Sequence, residues 1–291
     1  DLLAIQDPQG SKIEPKKEPV QQTQSETIDI IIPLYNGWDY LRLCLDSVLI
    51  NTTPDTPYRI IISDAGSSED TWQKLRALKG MIVLGDPKVR LNFAEACNQG
   101  ILHSQSKYFV ILNSDVIVSK GWLTAMVKKM NSIHRLSSCG VLSNCDSGWL
   151  INAVGKPSID LKVNNQLILH PGMKIEEILP HMDDLNRYMA LSNSLRADQF
   201  VEQEWVAGYC TMYARSAIEE TYLFDPYYNN GCEDLDLEKR LRALGYKAGQ
   251  AYDAFVLHFG GVSRYNLQCQ DKEQYDKDDH YNHEKYARKW A

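Results

Sequence analysis

Short runs of apolar, mostly β-branched residues recur along the first half of the chain, and a helical spacing of apolar positions follows each of them. The strand-like runs cover residues 28–33, 59–63, 81–84 and 108–112. Helices are predicted after the first run, at 69–78, at 93–103 and near 119–131. Strands and helices that alternate over short connections predict an α/β fold, with a mostly parallel sheet flanked by helices.

The pattern is weaker in the second half of the chain. Residues 146–204 carry no motif that we can assign, apart from an amphipathic helix predicted near 175–190. A strand at 206–213, a helix at 234–244 and a short strand at 254–257 then restore the alternation. Residues 1–26 are polar and rich in Pro, Lys and Gln, so we predict a flexible tail or linker ahead of a single domain at 27–291.

Composition and charge narrow the class of protein. The chain has 291 residues, of which 44% are hydrophobic, enough to bury a large core and to exclude general disorder. Its 31 basic and 38 acidic residues give a net charge of -7, which argues against a nucleic-acid partner. No apolar run approaches the roughly 18 residues of a membrane span. Seven scattered cysteines without a Cys-x-x-Cys pair predict buried thiols in a reducing, cytoplasmic setting rather than a structural zinc site.

Polar side chains follow three of the predicted strands, at the edge where ligands bind in parallel sheets. Tyr35 comes after the first strand, Asp64 after the second, and Asn113 and Asp115 after the fourth. A lone aspartate at a strand end is more often a helix cap or a turn residue than a ligand, and Asp64 fits that alternative. Asp115 fits it less well, because several residues separate it from the next predicted helix.

Two further groups lie in the second half of the chain. Glu233, Asp234 and Asp236 open a predicted helix, where acidic residues are also favoured simply by the helix dipole. His258 ends a short apolar strand and precedes two glycines that allow close backbone approach. A hydrogen-bonded core histidine is the alternative to a ligand at that position.

Taken together, these segments resemble the GT-A glycosyltransferases, in particular the inverting family 2 enzymes and their rhamnosyltransferase-like branch. The resemblance lies in IDIIIPLYN, IIISDAGSSEDT, RLNFAEACNQGI and YFVILNSDVIVSKGWL in the first half. In the second half it lies in WVAGYC, LFDPYYNNGCEDLDLEKRL, VLHFGG and the closing YARKWA. The resemblance implies a Rossmann-like GT-A fold, with a nucleotide-sugar-binding half at 27–130 and an acceptor-binding half at 131–291.

The resemblance also implies a donor site. Asp64 matches the acid that hydrogen-bonds the nucleotide base, and Pro33 and Tyr35 match the loop that packs around that base. Asn98, together with Gly100, matches a conformational element near the donor, for which a purely structural role is equally open. Asn113 stands where the family's DxD signature has its first acid, which removes one negative charge.

A divalent metal follows from the same resemblance. Asp115 matches the last acid of the signature and His258 matches the other metal ligand, which would hold Mn²⁺ or Mg²⁺ on the donor diphosphate. Oxygen ligands suit either ion, and an imidazole favours Mn²⁺ over Mg²⁺. The diphosphate leaves the sugar as a negatively charged group, and such an ion neutralises that charge.

The acceptor side is implied in the same way. Asp234 matches the catalytic base, which takes the proton of the acceptor hydroxyl as that oxygen attacks the anomeric carbon. Glu233 matches an acceptor contact, with exchanged roles left open. Trp205 and Gly208 match the segment that lines the acceptor side, where an aromatic face stacks on a sugar. Asp236 is interpreted as structural.

The sequence therefore predicts a metal-dependent inverting glycosyltransferase. It would move a sugar from a UDP or dTDP donor to a hydroxyl of a glycan or glycoconjugate in surface polysaccharide synthesis, at the inner face of the membrane. The first alternative is a catalytically inactive carbohydrate- or nucleotide-binding domain of a larger protein, suggested by Asn113. The second is another nucleotide-dependent enzyme, against which the lack of G-x-G-x-x-G and G-x-x-x-x-G-K-[ST] counts.

Two segments keep more than one interpretation. For 146–204, the family position suggests acceptor recognition, and the helix near 175–190 leaves an oligomer contact or a peripheral membrane contact open. Residues 271–283 hold Asp278, Asp279, His280 and His283. We interpret them as the solvated face of a C-terminal helix that packs through Tyr281, Tyr286 and Trp290, rather than as a metal cluster.

Overall fold

A computed structural model describes residues 26–145, 161–228, 231–260 and 272–291. The strands are β1 (Ile28–Leu34), β2 (Tyr58–Asp64), β3 (Ile82–Leu84), β4 (Tyr108–Leu112), β5 (Val116–Val118), β6 (Leu136–Ser143), β7 (Phe200–Gln203), β8 (Cys210–Ala214) and β9 (Lys247–His258). The helices are α1 (Trp38–Asn51), α2 (Glu69–Arg76), α3 (Phe93–His103), α4 (Trp122–Ser132), α5 (Ile175–Ile178), α6 (Met182–Leu195), α7 (Arg215–Thr221), α8 (Glu233–Ala243) and α9 (Lys272–Trp290), with a 3-10 turn at Leu179–His181.

The strands form one mixed sheet in the order β3-β2-β1-β4-β8-β6-β9-β5, with β7 paired to β9. β1 to β4 are mutually parallel, and β6 and β9 run in the same direction. β5, β7 and β8 run the opposite way. Six strands thus share one direction, and the predicted α/β fold with a mostly parallel sheet is confirmed.

The parallel half forms because its strands are apolar on both faces. All seven residues of β1 are buried, and helices cover both sides of the sheet. α3 packs closely on β1 at Gly100, where an added Cβ would lie 2.3 Å from Ile31 Cγ2. Glycine at this position therefore sets the distance between helix and strand.

The second half contains elements that the sequence pattern does not predict. β5, β6, β7 and α7 have no counterpart among the predicted elements. β9 covers 247–258, whereas the prediction was 254–257. The prediction was too short because the polar Gln250 and Asp253 interrupt the apolar pattern, although the strand is buried along most of its length. The helix predicted near 175–190 is divided into α5, the 3-10 turn and α6. Pro180 lies in that turn and lacks the N–H that a continuous helix requires.

The C-terminal helix forms as predicted but presents a different face to the core. Tyr281 is 52% exposed, which corrects its predicted place in the packed face, whereas Tyr286 and Trp290 are half-buried. Among residues 280–290 of this helix, whose burial is described, Asn282 and Lys285 are buried. The contacts of this face are polar, which an apolar pattern does not reveal. The side chains of Asp278 and Asp279 lie outside the part of the chain that the structure describes.

The cysteines of the described residues are free thiols, and all but Cys145 are buried, as predicted. Cys269 lies outside the described residues. None of the helices in the described ranges combines the length and the hydropathy that a membrane span requires.

Candidate active site

The carboxyl ends of β1, β2 and β4 lie side by side at one edge of the sheet. Leu34 at the end of β1 is paired with Asp64 at the end of β2. Asn113 follows the last residue of β4, the other neighbour of β1. β9 runs antiparallel to β5 and brings His258 next to Asp115. Residues that are up to about 200 positions apart in sequence thus share this edge.

Asp64 is fully buried at the end of β2, and its two carboxylate oxygens are in different situations. Oδ2 accepts hydrogen bonds from the backbone N–H of Gly66 (2.9 Å) and Ser67 (2.8 Å) and from Trp72 Nε1 (2.9 Å). Oδ1 is buried and accepts no hydrogen bond. The turn around Asp64 therefore fixes the carboxylate and leaves one buried oxygen without a hydrogen bond.

A stacked pair lies at the end of β1. The guanidinium carbon of Arg90 is 3.4 Å from the centroid of the Tyr35 ring, and Arg90 Nη1 donates to the carbonyl of Ala65 at 2.7 Å. Arg90 was not among the predicted site residues, because a single arginine in a loop carries no pattern. Pro33 is a buried residue within β1 and does not belong to the loop that follows.

Asn98 ties α3 to the segment before α8. Its Nδ2 donates to the carbonyl of Phe224 at 2.8 Å, and its Oδ1 accepts from the N–H of Phe224 at 3.0 Å. Both polar atoms of the side chain are thus used within the protein. This geometry favours the structural interpretation of Asn98 over a direct donor contact.

Asp115 and His258 face each other across the loop that follows β4. Asp115 Oδ1 is 3.3 Å from His258 Nε2, and Nε2 makes no well-aligned hydrogen bond. Asn113 Oδ1 is also buried without a hydrogen-bond partner. Two carboxylate or amide oxygens and an imidazole nitrogen are the ligand types that Mn²⁺ accepts.

The backbone and ring of His258 are held by the end of β6 and by the segment before β8. Asn144 accepts from the His258 N–H (2.8 Å) and donates to its carbonyl (2.9 Å). Cys145 Sγ is 3.6 Å from Nδ1, and the Tyr209 ring stacks on the imidazole with centroids 5.0 Å apart. Burial acts to lower the pKa of His258, but the Asp115 carboxylate more than offsets this effect and the pKa rises to about 10.

The residues present fit a divalent ion only in part. Among the described residues, no three His, Cys, Asp or Glu side chains come together as a metal site. Asp115 and His258 are close enough to share one ion, and Asn113 Oδ1 supplies a buried acceptor without a partner.

Asp234 lies in the first turn of α8 and faces the segment before β8. Its Oδ2 accepts from the N–H of Gly208 at 3.0 Å, and its Oδ1 accepts from the N–H of Leu235 at 2.8 Å. A Cβ on Gly208 would lie 3.3 Å from Asp234 Oδ2, so glycine permits this close approach. The helix starts after Cys232, whose φ of 69° turns the chain sharply into α8.

The neighbouring predicted residues differ in exposure. Glu233 is buried and its Oε2 accepts from the N–H of Gly231 at 2.5 Å, whereas Trp205 is half-buried. Asp236 is fully buried, and its Oδ2 accepts from Arg240 Nε at 2.9 Å. The contacts of Asp236 agree with its structural interpretation.

Tyr209 connects the two parts of the site. Its carbonyl accepts from the N–H of Asn113 at 2.8 Å, and its ring stacks on His258. The preceding residue, Gly208, donates to Asp234. The two-residue segment Gly208–Tyr209 thus joins the Asp115–His258 pair to the carboxylate of Asp234. Tyr209 was not among the predicted site residues, although it lies within the WVAGYC motif.

A family model described as glycosyl transferase family 2 matches residues 29–221, about two thirds of the chain. The chain belongs to this family. The predicted family is confirmed.

Curated relatives of the chain are glycosyltransferases. Glycosyltransferase GlyG of Streptococcus pneumoniae is 27% identical over 113 residues, 36% of this chain and 36% of the relative. Glycosyltransferase AglE of Haloferax volcanii is 28% identical over 100 residues, 33% of each chain. The chain spans only about a third of the length of these two relatives.

Solved structures share the fold. GalNAc-T7, solved with UDP, GalNAc and Mn²⁺, has a TM-score of 0.56 at 17% identity, over 80% of this chain and 43% of that one. Mannosyltransferase PcManGT from Pyrobaculum calidifontis, solved with GDP-Man and Mn²⁺, has a TM-score of 0.54 at 15% identity, over 84% and 59%. At these identities the likeness is one of fold, and it confirms the predicted GT-A fold.

Proposed function

We propose that the protein transfers a sugar from a UDP or dTDP donor to a hydroxyl of a glycan or glycoconjugate, with inversion at the anomeric carbon and with help from a divalent metal. The observation that carries this proposal is the segment of Gly208 and Tyr209. It links a half-buried carboxylate, Asp234, to the Asp115–His258 pair. A base close to a diphosphate-binding ion is what such a transfer requires.

The donor base would bind at the end of β2. Asp64 Oδ1, buried and without a partner, offers an acceptor to an N–H of uracil or thymine, and filling it would remove the cost of an unpaired buried oxygen. Tyr35 and Arg90 form a flat stacked surface beside it. Guanine and cytosine also carry N–H groups, so the nucleotide preference is the first part of the proposal to test.

Asp115, His258 and Asn113 would hold the metal, and both structural relatives were solved with Mn²⁺. The metal, when bound, would neutralise the charge of the leaving diphosphate. Asn113 would contribute a neutral oxygen, which weakens the affinity compared with a carboxylate. His258 must lose its proton to become a ligand, so metal binding competes with the ion pair that the histidine forms with Asp115.

Asp234 would accept the proton of the acceptor hydroxyl. The hydrogen bonds from the N–H groups of Gly208 and Leu235 hold its carboxylate in place and stabilise its charged form. Glu233 is less available, since it is buried and bonded to the backbone of its own turn. Trp205, half-buried next to this segment in sequence, would supply a surface on which the acceptor sugar stacks.

The first test is a thermal-shift panel of UDP, dTDP, GDP and CDP, each with and without Mn²⁺. A nucleotide at 100 times its dissociation constant stabilises the folded state by about 2.7 kcal/mol. We expect a shift for UDP or dTDP that requires the metal. A panel without any shift would refute the donor site.

The second test is Asp234→Asn, with Asp183→Asn, an exposed residue of α6, as its matched control. Asp234→Asn should abolish transfer and leave metal-dependent nucleotide binding intact, whereas the control should be fully active. An active Asp234→Asn variant would remove Asp234 from the role of base. Nucleotide binding without turnover in the unchanged protein would support a binding-only domain instead.

We further propose that the acceptor belongs to a surface polysaccharide assembled at the cytoplasmic face of the membrane. The support is the likeness of LNSD and YARKWA to the rhamnosyltransferase-like branch. Incubation with a lipid-linked saccharide and a radiolabelled donor tests this class of acceptor. Transfer to free saccharides alone would contradict it.

A further inference from the structure

The C-terminal helix α9 lies against the segment that carries the candidate base. Lys285 Nζ donates to the carbonyl of Tyr227 at 2.7 Å, and Lys289 Nζ is 2.8 Å from Asp225 Oδ2. His283 Nδ1 is 3.6 Å from the thiol of Cys232, the residue before α8. The contacts follow successive turns of α9 and reach the segment before α8, up to the residue that precedes the helix.

Two residues in the last turn of α9 contact the carboxylate of Asp236. It is fully buried in the first turn of α8, two residues after Asp234. Its Oδ1 accepts from Trp290 Nε1 at 2.9 Å and lies 2.9 Å from Lys289 Nζ. Its Oδ2 accepts from Arg240 Nε at 2.9 Å. A buried carboxylate that lost these partners would be costly, so the first turn of α8 and the end of α9 hold each other in place.

The opposite end of α8 is fastened separately. Arg135 Nη2 donates to the carbonyl of Leu244 at 2.7 Å, and its Nε donates to that of Gly245 at 3.1 Å. Arg135 also lies over the ring of Tyr246, at 4.3 Å from its centroid. The contacts of Arg135 stabilise the helix without touching its first turn.

We propose that Trp290 and Lys289 are positioning residues for the candidate base. By fixing the carboxylate of Asp236, they fix the position of the first turn of α8. That turn carries Asp234 and holds its carboxylate against the N–H of Gly208. The role rests on the proposed function of Asp234. It requires no contact of α9 with substrate, and it gives the last turn of α9 a part in the transfer step.

Hydrogen exchange tests the positioning without a known acceptor. Trp290→Phe keeps an aromatic ring near Lys239 and removes the indole N–H that donates to Asp236. We expect the amide of Gly208 and those of the first turn of α8 to exchange about fivefold faster or more in this variant. Lys289→Met together with Trp290→Phe should enlarge the effect. Arg135→Ala is the matched control, since it loosens the same helix at its other end.

The control decides between positioning and general stability. Exchange at Gly208 should stay within about twofold of the unchanged protein in Arg135→Ala, even if the melting temperature falls as much as in Trp290→Phe. Equal acceleration in both variants, or an unchanged rate at Gly208 in Trp290→Phe, would overturn the proposal. Binding of UDP with Mn²⁺ should be the same in all variants, and a loss confined to Trp290→Phe would equally overturn it.

Turnover provides a readout that a merely structural residue would not change. Once a donor and acceptor pair is known, Trp290→Phe should lower kcat about tenfold and leave the KM for the donor unchanged. Equal loss of kcat in Arg135→Ala would contradict the positioning role. If Asp234→Asn proves active while the exchange results hold, the contact between α9 and α8 stands and the role of Asp234 fails.

Discussion

Glu238 offers the sharpest test of the interior beneath the candidate base. It lies one helical turn after Asp234 on α8 and is only 2% exposed. Its Oε2 accepts from Ser138 Oγ at 2.8 Å, and its Oε1 is buried without a hydrogen-bond partner. No basic side chain is paired with it among the described residues. Ionising this carboxyl would therefore place an uncompensated charge in the core.

The size of the effect follows from the pKa. Burial raises the pKa of Glu238 from 4.5 to about 8, and the nearby Asp234 adds to the rise. Between those values the folded chain keeps a proton that the unfolded chain releases, so stability falls as the pH rises. The slope is about 1.4 kcal/mol per pH unit, which gives a total loss of up to about 5 kcal/mol by pH 8 and no further loss above it.

Glu238→Gln removes the titration and keeps the shape of the side chain. Urea unfolding at pH 5, 6, 7 and 8.5 should show the unchanged protein losing stability relative to the variant, with most of the loss present by pH 8. Glu219→Gln, at an exposed position of α7, is the control and should follow the unchanged protein at every pH. Parallel pH profiles for the unchanged protein and Glu238→Gln would refute the reasoning, because they would mean that the buried carboxyl is already compensated.

Three further substitutions probe the site and the sheet. His258→Ala should reduce the Mn²⁺-dependent part of the UDP thermal shift, and an unchanged dependence on Mn²⁺ would remove His258 from the metal site. Gly208→Ala would place a Cβ 3.3 Å from Asp234 Oδ2, so kcat should fall while UDP binding stays constant; full activity would contradict the close approach. Gly100→Ala would bring a Cβ to 2.3 Å from Ile31 Cγ2 and should lower the free energy of unfolding in urea by about 1–3 kcal/mol. An unchanged free energy of unfolding would mean that α3 can shift freely.

The first half of the fold could be predicted from the sequence because its pattern is local. β1, β2 and β4 are continuous apolar runs, and their ends fall within a residue or two of the predicted ones. Once such runs are parallel neighbours, whatever follows each run lies at one edge. Asp64 and Asn113 could thus be placed together without knowing any contact between them.

The surroundings of His258 could not be predicted in the same way. Asn144 and Cys145 follow β6, a strand that the pattern does not predict because serine and cysteine interrupt its apolar residues. Tyr209 contributes its ring and its carbonyl, two contacts that only the pairing of β8 with β4 establishes. The sequence provides the histidine, whereas its orientation depends on strands far apart along the chain.

The buried polar residues in the second half of the chain explain why the packed face of α9 was predicted wrongly and why its contacts with α8 were not predicted. Sequence patterns assign lysine, asparagine and aspartate to water, yet Lys285, Asn282 and Asp236 are buried here. A buried carboxylate is tolerated only where donors converge on it, and Trp290 Nε1 and Lys289 Nζ do so from more than 50 residues away. Apolar contacts tolerate small displacements, whereas these hydrogen bonds have strict geometry. The helix that carries Asp234 is therefore held by directional contacts, which suits the proposed base, since that carboxylate would have to meet a hydroxyl at one distance.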